Sequence, residues 1–145
     1  MNAQANNLAT AASAMPVMQG WHDFVKSKDP TALAWLLHPD VVFESPVLHT
    51  PQHGRDITAK YLVAAVNVLT VPGFKYANEW QNEGGAVLEF RTEIEGITIN
   101  GVDLIAVNED RTLITGFKVM VRPLKAIQLL QRLMAQELGM KPALG

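Results

Sequence analysis

The stretch FKYANEWQNEGGAVLEFRTEIE, residues Phe74–Glu95, decides the fold. Phe74, Tyr76, Asn78 and Trp80 alternate with Lys75, Ala77, Glu79 and Gln81. After Asn82-Glu83-Gly84-Gly85 the alternation resumes, with Leu88, Phe90, Thr92 and Ile94 set against Val87, Glu89, Arg91 and Glu93. A period of two marks a strand with one buried face, and a glycine-rich break between two such runs marks a hairpin. A turn near Gly96 leads into a third run, Ile97 to Val107. A turn over Asn108 to Arg111 leads into a fourth, Leu113 to Arg122. Strands joined by connections this short pair antiparallel, so this half of the chain is a meander.

Outward from the meander the period changes to 3.6. Val17, Met18, Trp21, Phe24 and Val25 trace one face of a helix over Pro16 to Lys26. Asp29 suits an N-cap and Pro30 a first helical position, which predicts a short helix over Thr31 to Leu37. Val41 to Glu44 reads as a short strand closed by Ser45-Pro46, and Val47 to Gly54 as a loop. Arg55 to Leu69 is a third helix, with a stripe of Ile57, Tyr61, Leu62, Ala65, Val66 and Leu69. After Pro123, the spacing of Leu124, Ile127, Leu130, Met134 and Leu138 predicts a final helix. Residues 1–15 read as a mobile N-terminal tail, 16–139 as one domain and 140–145 as a C-terminal tail. Helices segregated from a meander give an α+β fold. Helices wrapped on one side of a curved antiparallel sheet make a cone with an interior pocket.

A chain of 145 residues suits one domain. Its 48% hydrophobic and 18% charged residues exclude intrinsic disorder. A formal net charge of −2 supplies no basic excess for phosphate, which argues against a nucleic-acid partner. Cysteine is absent, so disulfides, thiolate metal sites and cysteine nucleophiles are excluded. No run approaches the ~18–20 apolar residues of a membrane span. Met1 to Met15 carry no Lys or Arg and no long apolar core, unlike a secretory signal. A cytoplasmic protein without a membrane partner is the expectation.

Several stretches resemble a known family. They are LLHPDVVFESP (36–46), the helix entry Gly54-Arg55-Asp56-Ile57, INGVDLIAVNEDRTL (99–113) and FKVMVRPL (117–124). With the element order, they make residues 17–138 similar to the NTF2-like superfamily, in its ketosteroid isomerase/SnoaL-like branch. The resemblance implies the cone fold, a cup reused for isomerases, cyclases, hydrolases, dehydratases, transport factors and association domains. It also implies where an isomerase's groups would fall. The family's Asp base before a proline corresponds to Ser45, and its Tyr donor on the first helix to Trp21. Its late-strand acid, held protonated by apolar surroundings, corresponds to Asp103. One of three groups is retained, so steroid double-bond isomerisation by that route is not expected.

Read from the residues alone, Asp103 interrupts the apolar run Val102, Leu104, Ile105, Ala106, Val107. Mid-strand burial would raise its pKa and make it an acid that donates or transfers a proton; the bland alternative is a structural Asp satisfied by a neighbour. Lys118 interrupts the next strand. With Glu109-Asp110 at the turn centre, Asp103 faces Gly116 and Lys118 is its diagonal neighbour, either a catalytic dyad or a satisfied buried pair. Trp21, Phe43, Ser45, Tyr61, Phe90 and Met120 are candidates for lining the pocket, with plain packing the alternative for each aromatic. Tyr76 and Trp80 are further aromatic candidates. His49 and His53, in a loop at the expected mouth, are candidates for ligand contact, and no spacing of ligands predicts a metal. His38 suits a helix C-terminus, and His22 is expected to face solvent.

These residues point to an enzyme without a cofactor, doing acid–base chemistry of isomerase, dehydratase, cyclase or lyase type on a small apolar molecule. The alternatives are a non-catalytic binder of such a molecule and a protein-association domain. If Asp103 faces inward, Val102, Leu104, Ala106, Phe117, Val119 and Val121 face outward, and a homodimer through the outer sheet face would cover them.

Overall fold

The computed structural model describes residues 15–139. Of the N-terminal tail expected at 1–15, residues 1–14 lie outside the described residues, as does the C-terminal tail expected at 140–145, while Met15 is buried in the core at 2% exposure and belongs to the domain. Helix α1 (Pro16–Ser27) buries Val17, Met18, Trp21 and Phe24, the stripe its spacing predicts. Pro16 opens it, and Lys28 ends it in the left-handed region at φ 57°. Asp29 then caps a single 3₁₀ turn (Pro30–Ala32), accepting from the Thr31 backbone N–H at 3.0 Å and the Thr31 hydroxyl at 2.8 Å. Helix α2 (Leu33–Leu36) is one turn long, because the chain enters strand β1 at Leu37 and stays extended to Glu44. The strand is longer than its apolar core suggests, since His38, Pro39 and Asp40 continue it without burying a side chain fully. His38 therefore sits on a strand, its Nδ1 accepting from the Asp40 N–H at 3.0 Å.

The loop after β1 contains a short strand, β2 (Gln52–His53), and leads to helix α3 (Arg55–Leu69). The meander follows as β3 (Lys75–Asn82), β4 (Gly85–Ile94), β5 (Ile97–Val107) and β6 (Ile114–Arg122), and helix α4 (Leu124–Glu137) closes the chain. The strands form one unclosed, curved sheet of six in the order β2-β1-β6-β5-β4-β3. All neighbours are antiparallel except β1 and β6, which run parallel. The α+β cone is thus as expected.

The register of β5 against β6 overturns one expectation. The connection runs from Asn108 to Leu113 rather than being a tight turn over Glu109-Asp110. The Asn108 side chain accepts from the backbone N–H of Thr112 at 2.9 Å and of Leu113 at 3.0 Å, and Asp110 accepts from the Thr112 hydroxyl at 2.6 Å. Arg111 takes φ 60° to turn the chain, and the ladder shifts between Ala106 and Val107. Asp103 consequently pairs with Val119, while Lys118 pairs with Leu104. Directly paired residues share a face, so Asp103 and Lys118 lie on opposite faces of the sheet. No dyad forms between them.

On the inner face the helices cover Leu88, Phe90, Ile99, Ile105 and Phe117, all buried. Phe117, Val119 and Val121 point inward, not outward as the dyad register required. Phe117 and Val119 pair with Ile105 and Asp103, and Val121 packs against the clusters beneath α4. The outer face keeps Val102, Leu104 and Ala106, joined by Trp80 and Met120, which are 56% and 53% exposed. Gly101 marks a close approach between neighbouring strands of the sheet. A Cβ there would stand 2.5 Å from the Phe90 ring and 2.7 Å from the Met120 carbonyl oxygen.

Candidate functional site

Between the inner sheet face and helices α1, α3 and α4 lies a cavity of about 50 Å³. That is several times the ~10–15 Å³ one water requires, room for a compact molecule. Its walls are mostly aliphatic and aromatic. The exceptions are Ser45, Thr70, the Trp21 indole, Tyr76 and Asp103. The two hydroxyl groups have local partners. Ser45 Oγ accepts from the Val47 N–H at 3.1 Å, and Thr70 donates to the Val66 carbonyl at 2.6 Å.

The remaining three make one directed chain. Trp21 Nε1–H donates to Tyr76 Oη at 3.0 Å, and Tyr76 O–H donates to Asp103 Oδ2 at 2.9 Å. Each comes from a different element. Trp21 sits on the buried stripe of α1, while Tyr76 reaches Asp103 diagonally across β4. Tyr76 pairs with Phe90, Phe90 with Gly101, and Asp103 follows two residues along the same face. A register shift at Ala77, between Tyr76 and Asn78, accompanies that reach.

The electrostatics follow from this enclosure. Asp103 is 6% exposed, and burial raises its pKa from 3.8 to about 7. The Tyr76 hydrogen bond and the charge of His22 act in the lowering direction. Burial, and next the Asp103 charge, push the Tyr76 phenol well above its usual range. His22 Nε2 and Glu79 Oε1, neither of which lines the cavity, pair at 2.7 Å beside Tyr76. The His22 ring meets the Tyr76 ring edge-on at 5.3 Å. Gln81 donates to the same Glu79 carboxylate, and the hydrogen bond from His22 is the main influence lowering its pKa.

Of the candidates from sequence, Trp21, Phe43, Ser45, Phe90 and Asp103 line the cavity. Tyr61 stands one layer back, stacked on Phe43 at 5.6 Å. Lys118, Met120, His49 and His53 do not reach it. Lys118 pairs with Glu44 at 3.7 Å on the outer face, and Met120 shares that face by its pairing with Val102. His49 and His53 are exposed: Ser45, Pro46 and Val47 line the cavity at the start of the loop, but the chain beyond them follows the sheet edge through the two-residue β2. His22 is half-buried rather than solvent-facing. The bond between Tyr76 and Asp103 is not readable from spacing, because it needs the register of β3, β4 and β5 at once. The only signal was an aromatic position on the same alternating run.

A family model for the SnoaL-like domain matches residues 18–115. The chain belongs to the SnoaL-like domain family. This SnoaL-like domain is similar to solved structures of the NTF2-like kind. A steroid delta-isomerase from Pseudomonas aeruginosa is 30% identical, with a TM-score of 0.75 over 88% of this chain and 90% of that one. An uncharacterized protein with a cystatin-like fold from Silicibacter pomeroyi is 29% identical, with a TM-score of 0.76 over 84% of each chain. An NTF2-like protein of unknown function from Mesorhizobium loti, 23% identical with a TM-score of 0.64 over 78% of this chain and 93% of that one, shares the fold. No curated protein sequence matches this SnoaL-like domain. Among the described residues, no helix is long and apolar enough to cross a membrane.

Proposed function

We propose that this SnoaL-like domain is a cofactor-independent acid–base enzyme, of isomerase, dehydratase, cyclase or lyase type, acting on a compact apolar molecule in the cone. The observation that carries the reading is the directed chain Trp21→Tyr76→Asp103 ending in an apolar cavity. Because the indole donates into the Tyr76 oxygen, the phenol proton goes to Asp103 Oδ2. When Asp103 is neutral, its own proton then sits on Oδ1, which has no protein partner among the described residues. A neutral Asp103 donates from Oδ1 to an acceptor on the ligand, and an ionised one takes a proton there. With a pKa of about 7 both forms are populated at neutrality, so one carboxyl can accept a proton and return it. The resemblance to a steroid delta-isomerase supports chemistry of this kind, while the size of the cavity favours a ligand smaller than a steroid.

The test uses a six-membered-ring β,γ-unsaturated ketone as the probe and follows its conjugation by ultraviolet absorbance. Asp103→Asn is expected to lower turnover by ~10²–10⁴, the usual contribution of a positioned acid or base. Ser45→Ala should stay within roughly tenfold of the parent, since that hydroxyl is engaged in its own turn and has no base beside it. Turnover unchanged in Asp103→Asn would remove the catalytic assignment. Saturable binding without turnover, read by the fluorescence of Trp21 against a Trp21→Phe control, would favour the non-catalytic binder. That reading draws on a specific observation: among the described residues, Tyr76 and Asp103 are the only titratable groups lining the cavity.

We further propose that two copies pair through the outer sheet face. Trp80 and Met120 are more than half exposed there, beside Val87, Val102 and Leu104.

A further inference from the structure

Trp21 lines the cavity, yet its one polar atom does not serve the ligand. The indole Nε1–H is spent on Tyr76 Oη at 3.0 Å, and the residue is 2% exposed. Two aromatic neighbours fix where that N–H points. Phe24, one turn along the same stripe of α1, meets the Trp21 ring at 5.3 Å, and Phe117 of β6 meets it at 4.7 Å. The phenol is held from its own side, with Phe74 and His22 edge-on to the Tyr76 ring at 5.2 and 5.3 Å. An indole nitrogen donates and never accepts, whereas a phenol oxygen does both. Of the three groups in the chain, Trp21 alone has no choice of role, so it decides the roles of the other two.

We propose that Trp21 is a positioning residue that acts through Tyr76: by occupying the phenol oxygen as a donor, it turns the phenol proton onto Asp103 Oδ2 and leaves Oδ1 as the oxygen that exchanges a proton with the ligand. The proposal rests on the reading of Asp103 as the working acid and names what orients that acid. A donor on the phenol oxygen polarises the O–H beyond it, so the carboxylate receives a stronger hydrogen bond than a lone phenol would give. Burial is foremost in raising the Tyr76 pKa, and the indole hydrogen bond is the one influence that lowers it, as befits a better donor. The neutral acid, in turn, is denied the phenol oxygen as an acceptor. Without the indole N–H, the acid's own proton would find a partner in Tyr76 instead of in a ligand. Both effects favour the carboxylate while the indole is in place. The cavity linings from α3, α4, β1, β4 and β6 contribute no charged side chain. The charged pair beside Tyr76, His22 with Glu79 at 2.7 Å, makes no hydrogen bond to Trp21.

The experiment is a carbon-13 NMR titration of the Asp103 carboxyl in the full chain, with a benzothienyl analogue in place of Trp21. That analogue keeps the shape of the ring and carries sulfur where the N–H stood. The Asp103 midpoint is expected to rise by about half to one pH unit, the net worth of one hydrogen bond. Tyr76→Phe should raise it as well, and the analogue placed in that background should shift it no further, because the indole acts only through the phenol oxygen. A midpoint unmoved by the analogue in the parent would overturn the proposal. So would an equal shift in the Tyr76→Phe background, which would make the indole an ordinary wall of the acid's surroundings. A second measurement needs no variant. As Asp103 ionises in the parent chain, the phenol oxygen becomes a better acceptor, and the Trp21 indole proton should move downfield with the same midpoint as the carboxyl. An indole proton that stays in place through that titration would overturn the proposal even if Tyr76→Phe does not fold. Neither measurement uses a substrate, so the positioning role and the enzyme reading fail separately.

Discussion

A carboxyl group whose pKa climbs from 3.8 to about 7 on folding leaves a signature in stability as well as in chemistry. Between those values the folded chain holds the Asp103 proton and the unfolded chain has released it. The folded state therefore binds more protons, and its stability falls as pH rises through that window. The stabilisation is complete below about pH 4 and gone above about pH 7, a span worth roughly 4 kcal/mol. Asp103→Asn has no proton to lose. Urea unfolding of the variant from pH 4 to pH 8 should show that slope removed, with the variant more stable than the parent at pH 8. An equal slope in both chains would mean that Asp103 does not carry this titration. At this scale the sequence was legible where a residue broke a pattern. Asp103 stood out from an apolar run and does face inward, and Trp21 lay on the buried stripe of its helix. Tyr76 broke no pattern. Its importance comes from what stands across from it, and a period of two or 3.6 carries no information on that.

Among the elements, helix stripes and the meander could be read because each is a local periodicity. Register could not. Connection length governs register, and the Asn108 and Asp110 side chains widen what looked like a tight turn into a six-residue connection from Asn108 to Leu113. That difference moved Lys118 and Met120 to the outer face and sent Phe117 and Val119 inward. It also separated the supposed dyad by the thickness of the sheet. The β4–β5 pair makes its own demand at Gly101, where the Phe90 ring lies over the missing side chain. Gly101→Ala would press on that ring and on the backbone oxygen of Met120, which cannot move aside without opening the ladder. A loss of about 1–3 kcal/mol is expected in urea denaturation, as for other overpacked positions. Because Phe90 also lines the cavity, binding of the ketone probe should weaken in the same variant. Unchanged stability would show that the ring has free room to retreat.

For the whole molecule, the division of labour between the two sheet faces sets its assembly. The inner face is covered by helices around the cavity and holds Asp103, and the outer face carries Trp80 and Met120 in the open. If that face pairs two copies, sedimentation at micromolar concentration should give twice the chain mass of 15.9 kDa, and Trp80→Lys should return the monomer. A monomer in both would place the large aromatic in another contact. The unclosed sheet also leaves β3 as a free border. The irregularity at Ala77 interrupts the regular hydrogen-bonding edge that another strand would need for extension. The kink that accompanies Tyr76's reach to its acid thus doubles as protection against polymerisation. Deleting Ala77 should straighten that border, and the purified protein would then be expected to form thioflavin-positive fibrils that the parent does not.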